Sequence, residues 1–100
     1  MTINVNAPFT VSDDLQALIE DRVSKLSMFY ERIQTADVFL KEEENRSNGS
    51  PKGNTVEIRL HVPGQILYAD ASSDSYERAL PDTVDKMRRQ VIRFKENLKP

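Results

Sequence analysis

Cysteine is missing from these 100 residues, which excludes a disulfide framework and a thiolate zinc site. Histidine occurs once, as His61, so no second imidazole is present to pair with it at a metal or a nucleophile. There is no phosphate-binding glycine loop. The carboxylates are scattered, apart from Glu42, Glu43 and Glu44, whose run lacks metal-ligand spacing. A nucleophile with its base and orienting group cannot be assembled from this set. The expectation is therefore a binding module and not an enzyme, with no cofactor, no metal and no small-molecule substrate. No apolar run approaches the ~20 residues of a membrane span. The N-terminus has neither the basic start nor the apolar core of a signal peptide. The expected location is the cytoplasm, with no membrane partner. No internal repeat is visible.

What is present suits one domain over 1–100 with a real core. Apolar residues make up 38% and charged residues 30%, a balance that reads as globular and not disordered. Net charge is −2 and the pI about 5.4. That total argues against a nucleic-acid binder, which usually shows a basic domain. The distribution argues the other way. Residues 1–85 carry eight basic and fifteen acidic side chains, whereas 86–99 carry six and one. The protein is expected to be electrically lopsided.

The basic excess falls on the stretch Leu80–Leu98. Leu80, Val84, Met87, Val91, Phe94 and Leu98 recur at a 4-3-4-3-4 spacing, one apolar stripe on a helix. Lys86, Arg89 and Arg93 project from nearly the opposite face, and Arg88, Lys95 and Lys99 flank the stripe. Docking the stripe would hold these cations as a rigid surface. A solvated charged face is the plain alternative.

Taken in order, Thr2–Asn6 alternates with Ile3 and Val5 on one side and predicts a strand. Ser12 or Asp13 can cap a helix over about Asp13–Arg32, with Asp13 and Asp14 at its positive end. Its apolar face is Leu15, Leu18, Ile19, Val23, Leu26, Tyr30 and Ile33. Arg22 lies within the range of that face and is expected to snorkel. Lys25, Phe29 and Arg32 make a second, smaller basic flank. Ala36–Glu43 predicts a second strand. The polar stretch after it, about 44–54, predicts a mobile loop. Asn54–Val62 is the clearest strand, with Val56, Ile58, Leu60 and Val62 on one side and Glu57, Arg59 and His61 on the wet side. A lone strand histidine of this kind is expected to be structural. Pro63-Gly64 predicts a type II turn, and Gln65–Ala71 a fourth strand. Asp74 with Glu77 suggests a capping box. Pro81 then predicts a kink or bulge in a helix starting near Ser75, or a helix that starts at Pro81 itself.

The order β-α-β-β-β-α predicts an α+β two-layer sandwich. The four-stranded sheet should be mixed, with the first two strands parallel and both helices on one face.

Several pieces, in order, resemble the ribosome hibernation-promoting factor family, which includes ribosome-associated inhibitor A (protein Y). They are DRVSKL at Asp21–Leu26 with Phe29 before Ile33, ADVFLKEE at Ala36–Glu43, VEIRLHVPGQILYADA at Val56–Ala71, and SYERA followed by VDKMRRQVIRFKE. The resemblance implies a double-stranded-RNA-binding-like fold. It also implies binding to ribosomal RNA of the small ribosomal subunit, in the channel for messenger and transfer RNA, with silencing of idle ribosomes. Carried over by position, Arg22 and Lys25 on the first helix and Lys86, Arg89 and Arg93 on the last would contact RNA, with Arg88 and Lys95 alongside. The segment 76–84 is one residue longer than in the best-known members, and the 44–54 loop is longer and more polar. Ending at Pro100, the chain carries neither the dimerising domain of long members nor the acidic tail of the inhibitor A type. It is expected to be a short form, for which pairing of ribosomes would require a separate dimerising partner. The competing expectation is a non-ribosomal RNA- or protein-interaction module using the same basic helix faces.

Overall fold

Successive side chains of a strand point to opposite sides, so a period of two decides which face each residue meets. The computed structural model describes residues 1–43 and 53–98. Its elements are β1 (Thr2–Asn6), α1 (Asp13–Ser24), a 3-10 turn (Lys25–Met28), β2 (Thr35–Glu43), β3 (Gly53–Val62), β4 (Gln65–Ser73) and α2 (Tyr76–Asn97). The strands lie in the order β1-β2-β3-β4. β1 runs parallel to β2, and the other two pairings are antiparallel. This is an α+β, four-stranded mixed sheet with both helices on one face.

One core accounts for that arrangement. Ala36, Val38 and Leu40 of β2, Val56, Ile58, Leu60 and Val62 of β3, and Leu67 and Ala69 of β4 share a buried cluster with residues of both helices. α1 contributes Leu15, Ile19 and Val23, followed by Leu26, while α2 contributes Ala79, Leu80, Met87 and Val91. Thr83 is fully buried among them. Its hydroxyl serves the Ala79 and Val56 carbonyls, both at 3.0 Å, so α2 sits close on β3 without an orphaned polar group. Val84 is only partly buried, and Leu98 is 54% exposed. The helix stops at Asn97, so Leu98 does not continue the apolar stripe.

The helix ends differ from the sequence expectation. Ser12 caps α1, its hydroxyl accepting from the Leu15 amide at 3.2 Å. The α-helix stops at Ser24, well before Arg32. Ser24 and Ser27 hydroxyls donate back to the Asp21 and Ser24 carbonyls at 3.0 and 2.7 Å. Such local bonds compete with the α ladder, and the chain tightens there into the 3-10 turn. At α2, Ser75 and not Asp74 is the cap, accepting from the Arg78 amide at 3.2 Å. The helix runs unbroken from Tyr76 through Pro81. Pro81 is exposed, so the carbonyl it leaves without a donor can be met by water. Gly64 has φ +87°, as the third position of a type II turn requires. The strands β2, β3 and β4 extend one or two residues beyond their predicted ends. Of the predicted mobile loop, 44–52 lies outside the described residues, as does Lys99, while Gly53 and Asn54 belong to β3.

Candidate nucleic-acid interface

At 100° per residue, the buried line of Thr83, Met87 and Val91 fixes which way every other side chain of α2 points. Lys86, Gln90 and Arg93 lean toward the open edge of β4. Lys86 Nζ donates to the Asp70 carbonyl at 2.9 Å, and Gln90 donates to the Tyr68 carbonyl. Both close off backbone groups of an edge strand. Arg93 lines a cleft with Gln65, Leu67 and Leu98. Arg88 and Lys95 lean the other way, toward α1. Asp82, Asp85, Arg89 and Glu96 ride the crest.

Leu18 and Arg22, four residues apart, share one flank of α1, and the chain continues from it through Lys25 in the 3-10 turn to Phe29. That flank borders α2, because the Arg88 guanidinium lies 5.9 Å from the centre of the Phe29 ring. Lys95 lines a shallow cleft of about 410 Å³ together with Phe29 and Arg32. Around Phe29 the seam gathers Arg32, Arg88 and Lys95, with exposed Arg22 and Lys25 on the turns just before it. Arg89 stands above it, and Lys86 and Arg93 lie on the far side of α2.

Their commitments differ. Lys25 pairs with Asp21 at 3.5 Å, both more than half exposed. Arg88 pairs with Asp85 Oδ1 at 2.7 Å, and Arg89 with Asp85 Oδ2. The hydrogen bonds from Arg88 and Arg89 hold the Asp85 carboxyl below the usual carboxylate range. Among the described residues, Arg22, Arg93 and Lys95 have no ion pair. Asp85 did not stand out in the sequence, although its i,i+3 and i,i+4 spacing to the two arginines was there to be read.

The opposite face of the sheet carries charge of both signs, matched across strands. Glu57, expected on the wet side, is 2% exposed. Lys41 reaches its Oε1 and Arg59 its Oε2, each at 2.7 Å. The Tyr68 hydroxyl is 3.2 Å from Oε1 and 3.1 Å from Asp70 Oδ2. These side chains lie over the carboxylate and cover it. Burial pushes the Glu57 carboxyl up, but the hydrogen bonds from Lys41 and Arg59 outweigh this and hold it below the ordinary value. Burial and the Asp70 and Glu57 carboxylates push the Tyr68 phenol up to about 12. His61 Nε2 is 2.9 Å from Asp37 Oδ2, and Asn4 donates to Asp37 Oδ1 at 3.1 Å. The hydrogen bond from Asn4, with help from His61, holds the Asp37 carboxyl low. Among the described residues no group of three or more His, Cys, Asp or Glu could hold a metal ion.

The domain thus carries, on its helical side, cations with no ion pair among the described residues, while the charges of its sheet face are matched with one another. The profile of the family described as Sigma 54 modulation protein / S30EA ribosomal protein matches residues 3–99, and the chain belongs to that family. It is 28% identical over 97 residues to the ribosome hibernation promoting factor of Azotobacter vinelandii, covering 96% of this chain and 84% of that one. The Escherichia coli K12 protein of the same name is 27% identical over 89 residues, covering 89% and 86%. A ribosome hibernation promotion factor of Deinococcus radiodurans is 29% identical over 85 residues, and there the match spans only 44% of the relative's length. Among solved structures, a ribosomal subunit interface protein from Coxiella burnetii superposes with a TM-score of 0.80 at 18% identity, covering 96% of this chain and 99% of that one. The N-terminal domain of Thermus thermophilus Protein Y does so at 0.76 and 20%, covering 94% and 99%. This is a ribosome-associated hibernation family, and the two solved structures share the fold described above.

Proposed function

We propose that this chain binds ribosomal RNA of the small ribosomal subunit, in the channel for messenger and transfer RNA, and stabilises idle ribosomes there. The observation that carries this is the helical side and its seam, where several cations have no ion pair among the described residues, while the cations of the sheet face are matched. Arginine forks on Arg22, Arg88, Arg89 and Arg93 suit bidentate contact with phosphates. Lys25, Lys86 and Lys95 add point charges. The role is binding, in the cytoplasm where ribosomes work, and involves no catalysis or cofactor. Residues 1–100 act as one ribosome-binding domain.

Neutralising about four to six phosphates should make log K fall against log salt with a slope of roughly −3 to −5. The deciding test is Arg89→Glu combined with Arg93→Glu. Both side chains are exposed, so folding should survive, as a melting curve would show. Co-sedimentation with small subunits in moderate salt should be lost. Retention at the wild-type level would remove the basic helix face from the mechanism.

A further inference from the structure

We propose that Asp85 is a built-in competitor for RNA phosphate, which sets how strongly this surface discriminates ribosomes from arbitrary RNA. The inference rests on the function proposed above. Asp85 uses one carboxylate oxygen on Arg88, at 2.7 Å, and the other on Arg89. A carboxylate placed this way takes the same guanidinium N–H groups that a phosphate would take. In the free protein the two arginines are therefore already occupied. Asp85 touches the Nη2 of each guanidinium, so an incoming phosphate must displace it to take the fork at that edge, and at the remaining N–H groups must still share the cation with it.

The exchange is close to balanced. All three side chains are between 41% and 64% exposed, and ion pairs this exposed are weak. A ligand that offers one or two phosphates at random gains little by replacing one anion with another. A rigid RNA surface laid along the seam can also meet Arg22, Arg32 and Lys95, which carry no ion pair of their own among the described residues. Such a surface gains those contacts in addition, and the displacement becomes favourable. Asp85 thus raises the number of simultaneous contacts that binding requires. The Asp85–Arg88 pair also keeps the guanidinium near the Phe29 ring, so the fork is held at the helix seam until it is exchanged.

The control is Asp82. It lies on the same crest one turn earlier and has no ion pair among the described residues. Asp82→Asn makes the same change in net charge without freeing an arginine. The probes are a fluorescein-labelled oligouridylate and purified small subunits, with each protein at ~0.15 M salt, where charges beyond about 8 Å are screened. Asp85→Asn should tighten oligouridylate binding roughly three- to tenfold and Asp82→Asn no more than about twofold. The salt slope on oligouridylate should steepen by about 0.7–1.4 for Asp85→Asn, as one or two more phosphates are engaged. Small-subunit affinity should change less than oligouridylate affinity, so the ratio between them falls. Equal effects of the two substitutions on oligouridylate would overturn the proposal, since only net charge would matter. Weaker binding by Asp85→Asn to both probes would also overturn it and make Asp85 a positioning residue. If wild-type chain bound neither probe, the ribosomal function itself would fall and this inference with it. In the first two outcomes wild-type binding remains, so the two failures can be told apart.

Discussion

The helical face and the open sheet face carry the same kinds of charged side chain, but they pair them differently. On the helices the pairs are local. Lys25–Asp21, Arg88–Asp85 and Arg89–Asp85 are three or four residues apart, formed within one turn by partners that water also reaches. On the sheet two of the three pairs are long-range. Lys41 reaches Glu57 across 16 residues and His61 reaches Asp37 across 24, and strand register holds them together. Local exposed pairs are weak and exchangeable. A pair whose carboxylate is buried and hydrogen-bonded on both oxygens is not, because removing one partner leaves the other with a desolvation penalty. The same residue types thus make an exchangeable surface on one side of the domain and part of the scaffold on the other.

That comparison depends on the layer holding the two faces apart, and the largest effect is expected there. Leu60 is fully buried toward the end of β3, one of the two strands flanked on both sides within the sheet. Leu60→Ala should cost about 2–5 kcal/mol through lost burial and the cavity left behind. Urea denaturation would measure it. A cost under about 1 kcal/mol would mean that β3 is not the centre of the core.

The next effect separates the faces directly. Glu57 resembles a surface acid in the sequence, and Glu57→Gln would then be silent. The structure predicts otherwise. The substitution leaves Lys41 and Arg59 without their anion, though both remain about half exposed and can turn to water. The expected cost is therefore about 1–3 kcal/mol. Its pH dependence has a definite sign. The folded carboxyl titrates below its ordinary value of 4.5. Its stabilisation is present in full above that value and is lost as pH falls through the folded value. Wild-type stability should drop more than that of Glu57→Gln as pH is lowered from about 5 toward 2. Parallel acid limbs for the two proteins would show that Glu57 is not held by its neighbours.

Glu57 also marks where the sequence stops being legible. Alternation assigned Val56, Ile58, Leu60 and Val62 to the covered side and Glu57, Arg59 and His61 to the other, and the structure agrees. Alternation says nothing about depth on the open side. Depth there is set by long side chains from β2 and β4, which period-2 patterning within β3 cannot register. The helices show the same limit. Their apolar spacing located the cores of α1 and α2 from Leu15 to Val91. It did not show that the Ser24 and Ser27 hydroxyls would convert the end of α1 into a 3-10 turn, nor that Pro81 would be accommodated on an exposed turn. For the candidate interface, the residue types were legible, but helical spacing put Lys86, Arg89 and Arg93 on one outward face, whereas Lys86 and Arg93 lean toward β4. The state of each cation was not legible. Lys86 is bonded to the β4 backbone and Arg88 and Arg89 to Asp85, while Arg22, Arg93 and Lys95 have no ion pair among the described residues. That distinction arises from rotamers and tertiary neighbours.

The smallest effect is also the one that most sharpens the comparison, because it removes one cation from each face. Arg93 is exposed and without an ion pair among the described residues, on the face proposed to meet RNA. Arg59 donates to Glu57 at 2.7 Å and lies 4.8 Å from the centre of the Phe39 ring. Arg93→Gln should leave melting unchanged, lower affinity for small subunits several-fold, and reduce the salt slope by about 1. Arg59→Gln should do the reverse. Loss of one charged hydrogen bond and one cation–π contact should lower stability by about 1–2 kcal/mol, while Lys41 and Tyr68 still serve Glu57. Small-subunit affinity should stay within about twofold. The helix and sheet layers lie about 10 Å apart before side chains are counted, beyond the ~8 Å over which charges act at physiological salt. A cation lost from the sheet face should therefore be little felt across the domain. If Arg59→Gln weakens binding as much as Arg93→Gln while the fold stays intact, the sheet face touches the ribosome too, and the division between an exchangeable face and a scaffold face no longer holds.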